Sequence, residues 1–159
     1  MKNIKCAVIG ANGYIGRHLT YLLNKKGFEV FTYGLNSKKN KNISKEIPYQ
    51  KVDLTNKQDI NKIDFDVDYI FLFAGLTGTL DGFNNYENYI NINEIGLLNI
   101  LNKIKDLKNK PHCIFPSSRL VYKGSPHPLK EDDKKEAKTI YALTKINGEN
   151  YLLVYSNMY

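Results

Sequence analysis

Two groups of residues in this 159-residue chain have the types and spacing to do chemistry. The first is Tyr141 and Lys145, in the segment YALTK. At positions i and i+4 they fall on one face of a helix, which sets an ammonium beside a phenol. A cation there favours the phenolate and draws the phenol pKa from about 10 toward the working range. A tyrosine so tuned can give or take a hydroxyl proton while a hydride moves elsewhere. In a chain with 12 Tyr and abundant Lys the pair alone carries little weight, because chance supplies many such pairs. The second group is Gly10, Gly13 and Gly16 in GANGYIG. Gly10 permits a tight strand-to-helix turn, Gly13 lets a pyrophosphate approach the backbone, and Gly16 allows close packing of the helix. The free N–H groups and the helix dipole then face phosphate oxygens. Asn12, Tyr14 and Ile15 belong to the same loop and are counted with it as cofactor-binding.

These residues need a scaffold, and the hydrophobic pattern supplies one. Apolar runs without alternation at Lys5–Ile9, Phe28–Tyr33, Tyr49–Val52, Tyr69–Phe73 and Cys113–Phe115 read as strands buried on both faces. Between them lie helix-period stretches at Tyr14–Lys25, Asn56–Ile63, Glu87–Leu107 and Ile140–Tyr155. Residues 34–48 and 129–139 are polar and read as loops. Strands alternating with helices imply right-handed crossovers and a doubly wound α/β fold with a parallel sheet, a single domain over residues 1–159.

Composition limits the alternatives. No apolar run is long enough to span a bilayer, and the N-terminal segment lacks a signal-peptide pattern, so a cytoplasmic protein with no membrane partner is expected. Cys6 and Cys113 sit in buried strands without metal-ligand spacing, which points to core thiols and no metal site. The formal charge of +7 raises nucleic acid as a partner. The basic residues are nearly all Lys and are scattered, so a solvated surface without nucleic-acid binding is the expectation.

The upstream context makes the Tyr–Lys pair more specific. Ile114 to Tyr122 (IFPSSRLVY) resembles the strand-Ser-Ser-x-x-Val-Tyr segment of the extended short-chain dehydrogenase/reductases, the superfamily of NAD-dependent nucleotide-sugar epimerases, dehydratases and reductases. The G-x-x-G-x-x-G spacing of the glycine loop resembles the same family, and the resemblance covers essentially the whole chain. It implies the Rossmann fold, a bound NAD or NADP and a nucleotide-sugar substrate. Residue by residue it implies Ser118 as the hydroxyl that holds the reacting oxygen, with Ser117 as second choice. It implies Tyr141 as general acid/base, Lys145 as its cation and ribose ligand, and Asn93 in NINEIGLLNIL as a proton-relay residue on a distorted helix. Asp53, with Leu54 beside it, would meet the adenine, and Phe73-Ala74-Gly75 would lie against the cofactor. Asp53 reads equally as a turn or capping residue, and Asn93 as one amide among many. Family members commonly pair two helices into a dimer, which here implies a homodimer through helices 87–107 and 140–155.

The chain departs from the family in two respects. It ends near the close of the Tyr–Lys helix, so the resemblance implies a Rossmann part truncated before the C-terminal substrate domain. At the end of strand two, where NAD-preferring members carry an acid for the ribose 2′-OH, stands Gly34. Ser37, Lys38 and Lys39 follow, and could meet a 2′-phosphate or only solvent, which favours NADP over NAD. Three functions compete: an NAD(P)-dependent nucleotide-sugar enzyme, a catalytically incompetent nucleotide-binding or regulatory module, and an RNA-binding protein resting on charge alone.

Overall fold

The computed structural model describes residues 3–159. Five strands, β1 (Lys5–Ile9), β2 (Glu29–Gly34), β3 (Tyr49–Lys51), β4 (Tyr69–Leu72) and β5 (His112–Ile114), form one sheet in the order β3-β2-β1-β4-β5. Every pairing is parallel. Strand order reverses between β1 and β4, so a crevice opens at the carboxyl ends of these two strands, where ligands of doubly wound folds bind. This is the doubly wound arrangement expected from the pattern and the Rossmann fold that the resemblance implies.

Both faces of the sheet are covered, which is why its strands show no polar alternation. Cys6 and Val8 of β1 point to one side, where Val30, Ile43, Ile47 and Leu23 of helix α1 (Tyr14–Lys25) pack. Ala7 and Ile9 point to the other, with Ile70 and Leu72 of β4. Leu97, Ile100, Leu101 and Ile104 of helix α5 (Gly96–Lys105) close that side. Both thiols are free, and burial pushes each pKa up to about 11, so they stay protonated.

The long stretch expected as one helix from 87 to 107 is three consecutive segments. Helix α4 (Tyr86–Ile90) runs into a π-helical turn (Asn91–Ile95) and then into α5. A π-turn adds a residue to the helical circuit and rotates the face that follows, and such turns gather at functional sites. The sequence pattern does not reveal the short helix α3 (Asp81–Asn84), and α2 covers only Lys57–Ile60. Helix α6 runs from Ile140 to Met158, three residues further than expected. Among the described residues, no helix is long and apolar enough to cross a membrane.

Candidate active site

The glycine loop sits at the crevice. Gly10 has φ +92, a left-handed conformation that a side chain would strain. It also lies against the end of β4: a Cβ there would overlap Ala74 N and stand 2.6 Å from the Phe73 carbonyl carbon. A Cβ on Gly16 would overlap the Gly10 carbonyl oxygen and stand 2.9 Å from Ala11 Cα. These two glycines are thus required by the protein's own packing. At Gly13 the nearest protein atom to a Cβ is the Gly10 oxygen at 3.2 Å. Gly13 caps α1 with no side-chain hydrogen bond, and the first turn contains no acid. The N–H groups of that turn therefore suit an anion, and this is the observation by which the loop fits a pyrophosphate.

A cleft of about 440 Å³ runs from this loop across the strand ends. Gly10, Asn12, Gly13, Gly34, Asp53, Leu54, Phe73, Ala74 and Gly75 all line it, which gathers most of the expected cofactor residues in one place. Tyr14 and Ile15 are exposed on the first turn of α1. Ser37 and Lys38 lie exposed on the loop after β2. Some side chains, however, are already engaged. Asn12 Nδ2 donates to the Lys38 carbonyl (2.9 Å) and to Tyr49 Oη (3.1 Å), and its Oδ1 accepts from Asn40 N–H (2.8 Å). Its amide thereby ties the glycine loop to the loop after β2. Asp53 Oδ1 accepts from the Thr55 N–H (2.9 Å) and hydroxyl (2.8 Å), a turn role alongside its place in the cleft. Lys39 donates to the carbonyls of Ser44, Lys45 and Ile47, so it braces the loop, unlike the phosphate ligand considered from sequence.

Beyond the strand ends, Asn93, Ala74, Phe115 and Lys145 line one small adjoining pocket. Thr139 caps α6 by accepting from Ala142 N–H (3.1 Å), which fixes Tyr141 in the first turn. The helix dipole there favours negative charge. The Lys145 ammonium lies over two rings, 4.4 Å from the Phe115 centroid and 6.0 Å from that of Tyr141. Lys145 is 6% exposed, and burial pulls its pKa down to about 8.

Asn93 stands on the π-turn. Its Oδ1 accepts from Leu76 N–H (2.8 Å), and its Nδ2 donates to the Leu76 carbonyl (3.0 Å) and to Thr144 Oγ1 (3.1 Å). It thus joins the end of β4, the π-turn and the Tyr141 helix. Ser118 begins a 3-10 turn (Arg119–Val121), its Oγ accepting from Leu120 N–H at 3.2 Å. That turn packs on α6. Ser117 faces elsewhere: it donates to Glu149 of α6, which also pairs with Lys135. Burial of Glu149 works against its charge, but these two partners outweigh it and hold its pKa below the usual range. Sequence reasoning passed over Glu149 and Thr144. The signal for Glu149 was available, since it lies one further i+4 step along the face of Tyr141 and Lys145.

A model of the NAD dependent epimerase/dehydratase family matches residues 6–159. The chain belongs to this family. No curated protein matches it by sequence. Among solved structures it is similar to the UDP-glucose 4-epimerase of Thermus thermophilus in complex with NAD, with a TM-score of 0.88 and 23% identity over 98% of this chain and 52% of that one. It is similar also to the UDP-glucose 4-epimerase of Brucella ovis in complex with NAD, with a TM-score of 0.87 and 22% identity over 98% of this chain and 49% of that one. A third is a UDP-glucuronic acid 4-epimerase from Bacillus cereus in a complex that contains NAD, with a TM-score of 0.85 and 23% identity over 98% and 53%. The chain spans about half the length of these structures.

Proposed function

We propose that this chain is the nucleotide-binding half of an NAD(P)-dependent epimerase, dehydratase or reductase acting on a nucleotide sugar. The observation that carries the reading is the single cleft from the glycine loop past Ala74, adjoining the pocket that holds Asn93 and Lys145. The loop N–H groups would hold the pyrophosphate, the second carboxylate oxygen of Asp53 the adenine, and Lys145 the nicotinamide ribose. Bound nicotinamide would supply reversible hydride acceptance. Tyr141 would move the proton of the reacting sugar hydroxyl, with Lys145 beside the negative charge that develops on it. Ser118 would orient the same oxygen. Asn93 keeps the Tyr141 helix in register with β4, and its relay role belongs to this reading. Arg119, exposed beside Ser118, would meet either the substrate or only solvent in this reading. Two reduced, protonated thiols suit a cytoplasmic protein. The cofactor preference within this reading is NADP over NAD.

The test is calorimetric titration with NAD+ and NADP+, followed by turnover on a panel of UDP- and other nucleotide sugars. Dinucleotide binding at micromolar concentrations with little or no turnover by this half alone is the expected result. Substantial turnover by this chain alone would overturn its assignment as a half, a protein carrying the whole fold that binds but turns over no sugar would favour the regulatory-module alternative, and no dinucleotide binding would remove the reading.

The reading includes a homodimer through helices 87–107 and 140–155. Leu97, Ile100 and Leu101 of α5 face the sheet and are not free for such a contact. The apolar side chains left exposed on these helices are Ile90, Ile95 and Leu143, with Leu153 and Val154 further along α6. Light scattering should report twice the chain mass, and Leu143→Glu should halve it. A monomer at high protein concentration would exclude the homodimer.

A further inference from the structure

The end of β2 carries an inference that rests on the dinucleotide reading and sharpens it. In the parallel β2–β3 pair, Thr32 lies opposite Tyr49 and Gly34 opposite Lys51. Residues 32 and 34 share a face, so the Tyr49 side chain reaches along that face toward Gly34. Its hydroxyl would stand 3.0 Å from a Cβ built on Gly34, the ring atoms Cε2 and Cζ at 3.5 and 3.7 Å. That hydroxyl is fixed: it donates to the Asn36 carbonyl (2.7 Å) and accepts from Asn12 Nδ2 (3.1 Å). Asn12 in turn holds the Lys38 carbonyl and Asn40 N–H.

We infer that Tyr49 determines which dinucleotide this chain accepts, because its hydroxyl, held by Asn12 and Asn36, stands 3.0 Å from where a Cβ at position 34 would lie and so crowds any ribose-holding side chain there. In dinucleotide folds that carboxylate bonds the adenosine 2′-OH and repels a 2′-phosphate. Here Asn12 and residues 34–36 line the cleft, and the Tyr49 phenol stands behind them, bonded to Asn12 Nδ2 and the Asn36 carbonyl. The exposed Ser37 and Lys38 follow directly, and Lys38 supplies the positive charge. Lys39 takes no part, being engaged by three carbonyls. The ligand class is therefore a dinucleotide with a 2′-phosphate. Tyr49 bridges Asn12 of the glycine loop and the Asn36 carbonyl, so the pyrophosphate loop and the loop after β2 are positioned together.

The experiment measures NAD+ and NADP+ dissociation constants at one salt concentration, with thermal melts as a check on folding. The wild-type chain should bind NADP+ at least about tenfold more tightly, the scale of one charge-assisted contact. Gly34→Asp should weaken both cofactors, since its Cβ crowds the Tyr49 hydroxyl and loosens its bonds to Asn12 and Asn36. Gly34→Asp combined with Tyr49→Phe removes only the blocking hydroxyl and keeps the ring, so this chain should fold and prefer NAD+. Three results would overturn the inference while leaving dinucleotide binding intact: no wild-type preference for NADP+, a switch to NAD+ in Gly34→Asp alone, or persistent NADP+ preference in the double variant. Loss of all binding in the wild-type chain would instead remove the underlying functional reading, and the inference with it.

Discussion

Substituting the three loop glycines one at a time should separate folding from ligand binding. Gly16→Ala places a methyl on top of the Gly10 carbonyl oxygen and 2.9 Å from Ala11 Cα, both backbone atoms that no rotamer change can move. Gly10→Ala meets the backbone of Phe73 and Ala74 and adds the strain of φ +92. Overpacking and a left-handed non-glycine residue each cost about 1–3 kcal/mol, and Gly10→Ala carries both. Against a total stability of about 5–15 kcal/mol, these variants should melt several degrees lower or fail to fold. Gly13 differs. Its Cβ has only the Gly10 oxygen near it, at 3.2 Å. Gly13→Val should therefore lose less stability in thermal denaturation than Gly10→Ala or Gly16→Ala and yet bind no dinucleotide in calorimetry, because the side chain fills the space over the α1 N-terminus. A Gly13→Val chain with wild-type affinity would place the pyrophosphate elsewhere. A Gly16→Ala chain with an unchanged melting temperature would show that the helix can withdraw from the loop.

That contrast also marks how far the sequence can be read. β1, the glycine loop and α1 are legible together, because a buried apolar run, three glycines and a helical period point to the same turn. The parallel sheet follows from strand–helix alternation. The division of labour among the glycines is hidden, since it depends on Ala74, a residue 64 positions from Gly10 that only the crossover brings alongside. The small residues after β4 have a similar explanation: Ala74 packs under Gly10, and a Cβ on Gly75 would stand 3.0 Å from Asn93 Oδ1. The π-turn is invisible to a 3.6-residue period, which fits a continuous helix equally well across one inserted residue. Ile43 and Ile47 fall in a stretch that reads as a polar loop, although both are buried under β1 and β2; two isolated apolar residues carry no period. Lys39 reads as a surface cation and is a loop brace, because side-chain-to-carbonyl bonds leave no trace in composition.

The two members of the Tyr–Lys pair should part company when each is changed. Tyr141→Phe keeps the ring beside Lys145 and removes the proton. Dinucleotide affinity and melting temperature should stay near wild type, while turnover of the sugar nucleotide in the active protein falls by about 10²–10⁴-fold, the usual scale of general acid/base catalysis. Lys145→Met should lower both affinity and turnover and yet stabilise the unliganded fold. Its ammonium is buried against Phe115 and Tyr141, and desolvation brings its pKa from 10.5 to about 8. The native state therefore holds this proton less tightly than the unfolded chain does. Below pH 8 both states carry the charge and the fold bears the whole penalty. Between about pH 8 and 10.5 the native state sheds the proton first and the penalty is relieved. The difference corresponds to about 3 kcal/mol at most. Part of it is offset by the lost cation–π contact with Phe115, itself worth about 0.5–2 kcal/mol. Lys145→Met should accordingly gain about 1–3 kcal/mol in denaturant titrations at pH 7, with the gain shrinking as pH rises through 8 and vanishing near 10.5. A destabilised Lys145→Met chain at pH 7, or a gain that does not change with pH, would show that the ammonium is solvated or paired in solution. Full turnover in Tyr141→Phe would remove Tyr141 from the chemistry altogether.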